Sequence, residues 1–221
     1  MPNLDSGGAG VRLRISPTGL AIVKAFEGCL APVPGHPGYF KPYVDPVGVL
    51  TIGYGHTNHH EPKFTSSTVW SQQQCDDALA GDMATFEAHV SKLAKVPLEQ
   101  HEFDALVSWS YNTGGPQTAT LWRKLNAGDK KSVPAELAKW NRGGGRVLNG
   151  LVRRRKAEGE LFSGDLEAAF KTAQIKVAPN TPAPAKPPDP APSPSPQPAQ
   201  QPSFWAAFFM AIANLFGKDK A

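Results

Sequence analysis

The chain has 221 residues, of which 40% are apolar, and its formal net charge is +4. This length is enough for one or two domains that bury a sizeable core. No run reaches the ~20 apolar residues that a membrane-spanning helix needs, and the Gly-rich start lacks the apolar core of a secretory signal. The two cysteines, Cys29 and Cys75, are too few for a disulfide framework and favour free, buried thiols, although a single disulfide is left open. Nothing near them has the spacing of metal ligands, so no metal site is predicted.

The positive charge is concentrated in one part of the chain. Residues 123–156 contain eleven Lys or Arg, against two acidic residues, Asp129 and Glu136. Such a segment favours polyanionic partners, namely nucleic acid, anionic lipid or bacterial cell wall, although a solvated basic surface fits the pattern equally well. The basic stretches lack a recognised base-reading motif, so nucleic acid is not an expected partner.

The first helix is predicted from its two ends. Residues 1–14 are Gly-rich at their start and are expected to be disordered. Ser16 and Pro17 are preferred residues at the N-cap and at the first helical position, and Gly28 is a natural stop. Glu27 then lies in the last turn, where the partial negative charge of the helix end raises the pKa of its carboxyl, as a general acid requires. An exposed Glu beside a helix end is the alternative.

A turn and a strand follow a Pro- and Gly-rich loop at residues 31–42. Residues 45–48, Asp-Pro-Val-Gly, fit a type I turn. Residues 49–54 alternate as a strand, with Thr51 and Gly53 on the same side. The pattern therefore places one carboxylate, that of Asp45, on a turn and one hydroxyl six residues later on a strand.

The next hundred residues are predicted to be helical. A helix of about 25 residues begins at Ser71 and ends before Pro97, with apolar residues at helical spacing. Four further helices are expected at 99–112, 118–126, 133–140 and 150–161. Gly- and Asn-rich segments, such as 143–145, separate them.

The C-terminal part of the chain differs in composition from the rest. Residues 178–203 contain eleven prolines, so residues 171–203 are predicted to be an extended, Pro-rich linker. Residues 204–221 are expected to form a short apolar helix, too short to cross a bilayer. Its flanking Trp and Lys residues suit an anionic membrane surface. Docking of this segment in an apolar groove of the main domain is the alternative.

Four ordered blocks of the chain resemble the phage-type lysozymes, glycoside hydrolase family 24, which are peptidoglycan-cleaving endolysins. Five residues separate Asp45 from Thr51, as in that family, and the sequence Thr-Ile-Gly-Tyr-Gly-His-Thr at 51–57 is close to the family's. Segments 102–114, 121–129 and 150–158 are similar to the family's later helices, so the resemblance covers roughly residues 16–165. Seventeen residues separate Glu27 from Asp45, about twice the family's usual spacing. The surplus lies in the loop before Asp45, where extra length costs little closure entropy.

The resemblance implies a fold and a catalytic set. The fold is α+β, mostly helical and two-lobed, with a small β-hairpin lobe, a long connecting helix and a helical C-terminal lobe, in a catalytic domain at 15–170. Glu27 would be the general acid that protonates the leaving glycosidic oxygen. Asp45 would stabilise positive charge on the sugar and activate water, which Thr51 would position. The family is described as inverting, which requires carboxyl groups roughly 6.5–9.5 Å apart. No cofactor is needed, and one arginine among residues 153–155 is expected to pair with Glu27.

Further candidate residues follow from the same resemblance. Tyr111 and Asn112 lie where the matching helix lines the cleft, and they are candidates for contacts with the glycan; a core aromatic followed by a helix-terminal Asn is an equally good interpretation. Thr120, at the start of the next helix, is a weaker candidate for glycan contact. His56 follows the predicted strand and precedes a helix that carries Asp82, so, apart from the resemblance, these two residues are expected to form a structural ion pair, and His56 is not expected to be a catalytic base.

The function implied is that of an endolysin. Such a muramidase hydrolyses the β-1,4 bond between N-acetylmuramic acid and N-acetylglucosamine in bacterial peptidoglycan and so lyses the cell. The protein is expected to be a monomer without a signal peptide, which accumulates in the host cytoplasm and acts in the periplasm or cell wall. A lytic transglycosylase and a catalytically silent wall- or membrane-binding protein are the alternatives. The presence of Glu27, Asp45 and Thr51 together argues against both.

Overall fold

The protein has a mostly helical α+β fold, as predicted. The structure is a computed structural model that describes residues 12–45 and 48–176. The helices in these ranges are α1 (Pro17–Glu27), α2 (Gln72–Leu93), α3 (Gln100–Thr113), α4 (Thr120–Asn126), α5 (Val133–Ala138), α6 (Asn149–Phe162) and α7 (Leu166–Ala173), with a 3-10 turn at Lys130–Ser132 before α5. The strands are β1 (Tyr39–Phe40), β2 (Tyr43–Val44), β3 (Leu50–Ile52), β4 (His56–Thr57), β5 (Trp70–Ser71), β6 (Arg142–Gly143) and β7 (Arg146–Val147).

The start of α1 is fixed to α3 by polar contacts. Ser16 caps the helix, and the Asp104 carboxylate on α3 accepts hydrogen bonds from both the backbone N–H and the hydroxyl of Ser16. Residues 12–14 were expected to be disordered, but the structure places them against the helical body. The Nε of Arg14 lies 2.7 Å from the buried carboxylate of Glu87. An ion pair that the sequence pattern does not reveal therefore orders the residues just before the first helix.

Helix α2 connects the β-bearing part of the chain to the helical part. It begins with a complete capping box, in which Ser71 and Gln74 satisfy each other's backbone N–H groups, and it ends at Leu93, shortly before Pro97. The predicted helix is thus confirmed with slightly closer bounds. Its predicted apolar residues are buried: Ala78, Leu79, Met83, Phe86 and Val90.

Helix α3 lies at the centre of the protein. Residues 102–112 are all buried, because α1, α2 and α6 pack around this helix. The ring of Trp109 packs edge-to-face against Trp122 and Trp140, with ring centroids 5.9 Å and 5.4 Å away. Several residues of this buried stretch are polar, and buried polar groups need hydrogen-bond partners. Glu158 and Arg155 on α6 are the partners of Ser108 and Asn112, and these contacts lie in the site described below.

Two small sheets lie between α1 and α2. In the first, β2, β3 and β4 are antiparallel neighbours, with Tyr43 opposite Thr51 and Ile52 opposite His56. The strand predicted at 49–54 is shorter than expected, because Gly53 has a φ of +64° and the chain turns there. In the second sheet β1 pairs with β5, so the segment 31–42 is not entirely loop. A two-residue strand within a Pro- and Gly-rich stretch carries no recognisable period.

The end of the described chain also differs from expectation. The predicted domain boundary at residue 170 falls inside α7, whose Ala169 and Ala173 are buried, and Ile175 still packs against the core. Of the three glycines at 143–145, predicted to separate two helices, Gly143 ends β6, and Gly144 and Gly145 form the turn of the β6–β7 hairpin. In the described ranges, none of the helices has the length and apolarity needed to span a bilayer. Most of the predicted linker and all of the predicted apolar helix at 204–221 lie outside the described residues.

Two glycines inside helices provide a test of the packing. A Cβ added at Gly19 would lie 2.7 Å from Cγ1 of Ile15 and 2.8 Å from Cβ of Asp104, whereas one added at Gly81 would meet no described atom within 4 Å. We expect Gly19→Ala to lower the free energy of unfolding by about 1–3 kcal/mol, since overpacking outweighs the gain in helix propensity. We expect the matched change Gly81→Ala to raise it by about 0.5–1 kcal/mol. Urea unfolding measures both, and a stabilising Gly19→Ala would contradict the close contact of α1 with α3.

Candidate active site

Glu27 is the last residue of α1, and its carboxyl group is buried. The helix ends there because Gly28 takes a φ of +67°, which glycine adopts readily. Glu27 is only 4% exposed, which contradicts the alternative of an exposed Glu beside a helix end. The pKa of Glu27 is raised above its ordinary value because burial disfavours the charged form, and this effect outweighs the opposing attraction of Arg154.

The two oxygens of the Glu27 carboxyl have different surroundings. Oε1 accepts a hydrogen bond from Nη1 of Arg154 at 2.6 Å, so Arg154 is the member of the arginine triplet that pairs with Glu27. Oε2 is buried and accepts no hydrogen bond from any residue in the described ranges. One oxygen is therefore paired with a cation, while the other can carry a proton.

Asp45 and Thr51 lie on the β2–β3 hairpin, and the side chains of both form hydrogen bonds with the backbone of Val49. Oδ1 of Asp45 accepts a hydrogen bond from the Val49 N–H at 2.8 Å, and the Thr51 hydroxyl donates to the Val49 carbonyl at 3.1 Å. The Gly48 N–H donates to the Asp45 carbonyl at 3.0 Å, which is the bond that a type I turn makes. The Thr51 hydroxyl has thus used its proton, and its oxygen can still accept a hydrogen bond from a water molecule.

Tyr43 connects the two carboxylates electrostatically. It lies on β2 directly opposite Thr51. Burial raises the pKa of Tyr43, and the negative charges of Glu27 and Asp45 raise it further, which places the phenol near both carboxylates. Sequence reasoning did not identify this residue. The signal was available in the strand period, because residues two apart on a strand share a face and Tyr43 precedes Asp45 by two.

Tyr111 and Asn112 on α3 lie beneath the site rather than on its surface. Tyr111 is 3% exposed, its hydroxyl donates to the Tyr54 carbonyl at 3.1 Å, and its ring packs edge-to-face on Phe86. This burial contradicts the prediction that Tyr111 presents a flat face to a sugar ring and supports the core interpretation. Asn112 is also buried, and its Oδ1 accepts a hydrogen bond from Nη2 of Arg155 at 2.8 Å. Thr120 is exposed, at the first position of α4.

His56 on β4 and Asp82 on α2 form the predicted ion pair. Nδ1 of His56 lies 3.0 Å from Oδ2 of Asp82, and Nε2 lies 2.9 Å from the Pro62 carbonyl. Because both ring nitrogens face acceptors, the doubly protonated ring satisfies both contacts. Burial lowers the pKa of His56, but the hydrogen bond and charge of Asp82 outweigh burial, so the pKa is raised above 6.5.

We therefore expect Asp82→Asn to destabilise the protein in a pH-dependent way. A histidine whose pKa is raised on folding contributes its full stabilisation below its unfolded pKa, and this contribution is lost as pH rises through the folded value. The deficit of Asp82→Asn should be about 1–3 kcal/mol at about pH 5.5 and should shrink towards about pH 8.5. The exposed Asp77→Asn on the same helix is the control, and it should change little. A deficit that is the same at both pH values in urea unfolding would show that the ion pair contributes no charge effect.

The cysteines and the acidic residues do not indicate a metal site. Cys29 and Cys75 are free thiols, as favoured from the sequence, although Cys29 is half-buried rather than buried. Contact with the Cys75 thiol raises the pKa of Cys29, and burial adds to the shift. Across residues 12–45 and 48–176, there is no group of three or more His, Cys, Asp or Glu side chains placed to hold a metal ion.

Comparison with known proteins identifies the family of this site. The sequence model of the phage lysozyme family matches residues 25–158. An endolysin of Bacillus phage B103 is 38% identical over 154 residues, which cover 68% of this chain and 54% of the relative. An endolysin of Acyrthosiphon pisum secondary endosymbiont phage 1 is 35% identical over 156 residues, which cover 68% of this chain and 98% of the relative. The solved structure of an endolysin from Escherichia coli O157:H7 phage FAHEc1 is 33% identical, with a TM-score of 0.58 over 68% of this chain and 93% of that one.

The matched region contains the whole candidate site. Glu27, Asp45, Thr51 and Arg154 all fall within residues 25–158. The chain spans 54–62% of the length of its Bacillus phage relatives, so the likeness concerns this domain. By its sequence and by its fold, the chain belongs to the phage lysozyme family.

Proposed function

We propose that the protein is a muramidase-type endolysin, which hydrolyses the β-1,4 bond between N-acetylmuramic acid and N-acetylglucosamine in peptidoglycan. The observation that carries the proposal is that the two carboxyl oxygens of Glu27 differ in their hydrogen bonding. A buried carboxyl with a raised pKa, held at one oxygen and without a partner at the other, has the properties of a general acid. The family to which the chain belongs supports the same reaction.

The proposed reaction assigns one role to each residue of the site. Glu27 donates its proton to the glycosidic oxygen as the bond between that oxygen and the sugar's anomeric carbon breaks. Asp45 carries the negative charge that stabilises the oxocarbenium-like sugar, and it takes a proton from the attacking water. The Thr51 hydroxyl oxygen accepts a hydrogen bond from that water and so orients it. The net change is the addition of one water molecule across the bond.

Contacts with the rest of the polymer are proposed for fewer residues. Thr120 is exposed and able to donate to a sugar hydroxyl. Asn112 is buried and uses its carbonyl oxygen for Arg155, so it is not proposed for a glycan contact. The site of action, the periplasm or cell wall, follows from the proposed substrate. The contact of residues 204–221 with an anionic membrane, the monomeric state and the absence of a nucleic-acid partner stay predictions.

Product analysis tests the proposal directly. Purified peptidoglycan is digested with the full chain, and the soluble fragments are identified by mass spectrometry. Fragments that end in reducing N-acetylmuramic acid are expected, and the Glu27→Gln variant should release none above background. Anhydromuramic ends would assign the protein to the lytic transglycosylases instead. Binding to peptidoglycan without any released fragment would mean that the fold is kept for binding.

A further inference from the structure

A buried cluster of four charges lies behind the proposed acid. Glu27, Arg154, Arg155 and Glu158 are each at most 4% exposed, and they come from α1 and α6. When all four are ionised, the cluster holds two positive and two negative charges. Burying charges is costly unless they are paired, so the arrangement of these pairs determines which group carries a proton.

Glu158 is the centre of the cluster. Its Oε1 accepts hydrogen bonds from the Ser108 hydroxyl at 2.7 Å, from Nε of Arg154 at 3.1 Å and from Nη2 of Arg155 at 3.2 Å. Its Oε2 lies 3.0 Å from Nε of Arg155, at an angle too poor for a hydrogen bond. Both arginines therefore contact Glu158, while Glu27 shares only Arg154.

Arg154 binds two carboxylates at once, each through a different nitrogen of its guanidinium group. Nη1 donates to Glu27, and Nε donates to Glu158. A guanidinium facing Glu27 alone would favour the ionised form of Glu27, which cannot act as an acid. The second carboxylate offsets that attraction, because its negative charge disfavours a further negative charge on Glu27.

We propose that Glu158 is a positioning residue for the reaction: by sharing Arg154 with Glu27 and by pairing with Arg155, it leaves Glu27 able to hold a proton in the ground state. This inference rests on the proposed role of Glu27 as the general acid. Glu158 itself touches neither substrate nor water in this scheme. It acts only through the two arginines.

The other groups that face Glu27 do not replace Glu158. Tyr43 on β2 and Tyr111 on α3 both have raised pKa values, chiefly because they are buried, so they stay neutral across the working range. Asp45 lies close enough to Tyr43 to raise its pKa, as Glu27 does. Arg153 lies over the ring of Phe26, with its guanidinium carbon 5.4 Å from the ring centroid. Of the α6 carboxylates, Glu158 alone contacts Arg154 within the described ranges.

The test compares two substitutions that should act in opposite directions. In Glu158→Gln, two arginines face Glu27 with one counter-charge fewer, so Glu27 loses its proton more readily. The basic limb of the pH profile of kcat/KM reports the pKa of the general acid in the free enzyme. This limb should move to lower pH by about one unit. In Arg155→Gln one positive charge is removed instead, and the limb should move to higher pH. Ser108→Ala removes a hydrogen bond to Glu158 without a change of charge and should leave the limb in place.

A second readout separates this inference from the proposed function. The titration of the Glu27 carboxyl carbon is followed by NMR in the full chain and in both charge variants. Opposite shifts of that titration with no hydrolysis by the wild type would sustain the action of Glu158 on Glu27 and overturn the muramidase assignment. Hydrolysis by the wild type with unmoved limbs and unmoved titrations in folded variants would overturn the role of Glu158. If Glu158→Gln does not fold, the upward shift in Arg155→Gln and the unmoved Ser108→Ala decide the matter.

Discussion

Glu27→Gln is expected to lower kcat for peptidoglycan hydrolysis by about 10²–10⁴-fold, the range that a positioned general acid contributes. Glutamine keeps the size of the side chain and can still accept the hydrogen bond from Arg154, but it has no proton to donate at the working pH. Because the change affects the transition state and not the ground state, KM should stay close to that of the wild type. Initial rates on purified peptidoglycan over a range of substrate concentrations measure both constants.

The control for this experiment is an isosteric change away from the cleft. Glu167 is exposed in the first turn of α7, and Glu167→Gln should retain the wild-type rate. A Glu27→Gln variant that keeps more than a tenth of the wild-type kcat would exclude Glu27 as the acid. A large rise in KM at unchanged kcat would instead indicate that Glu27 contributes to binding.

Arg154→Gln is expected to lower the free energy of unfolding by about 3–5 kcal/mol, the usual loss when one partner of a buried ion pair is removed. The substitution leaves the buried Glu158 with one cation instead of two, and it leaves the buried Glu27 carboxyl without its guanidinium donor. It also removes the cation that lies over the Phe26 ring, 5.6 Å from the ring centroid. Urea unfolding at neutral pH measures the loss.

A double-mutant cycle isolates the contribution of the pair. In Glu27→Gln combined with Arg154→Gln, one of the stranded carboxylates is gone, so the double variant should be more stable than Arg154→Gln alone. The expected coupling lies within about 0.5–3 kcal/mol, as for residues in direct contact. Arg146→Gln, on the exposed β6–β7 hairpin, is the matched control and should change stability by less than about 0.5 kcal/mol. Strict additivity of the two single changes would contradict a direct Glu27–Arg154 interaction.

The helices of this fold could be predicted from the sequence, because their signals are local. Ser16 and Ser71 mark N-caps, glycines and prolines mark ends, and apolar residues recur at helical spacing between them. The strands β1 and β5 could not be predicted, since two residues are too few to show a period. Their pairing depends on residues thirty positions apart in the chain. Helix α7 was not predicted, because eight residues give only about two turns of helical spacing.

The candidate site shows the same division between local and long-range information. The positions of Glu27 at a helix end and of Asp45 on a turn follow from neighbouring residues. The choice of Arg154 from three consecutive arginines does not, because it depends on how α6 is rotated against α1 and α3. The burial of Tyr111 likewise depends on packing, since its hydroxyl bonds to the backbone of Tyr54 in another element. The spacing of residues in the sequence can indicate candidates for a cleft, but tertiary packing determines which of them line it.

The ion pair between Glu27 and Arg154 joins positions that are 127 residues apart in the chain. During translation the helix that carries Glu27 leaves the ribosome first, and the helix that carries Arg154 leaves near the end of the domain. Until then the Glu27 carboxyl has no hydrogen-bond donor from α6 against which it can be buried, and burial of a polar group without a partner is unfavourable. A nascent or truncated chain that stops before α6 therefore contains Glu27, Asp45 and Thr51 but cannot assemble them. Completion of α6 is thus a condition for the proposed activity.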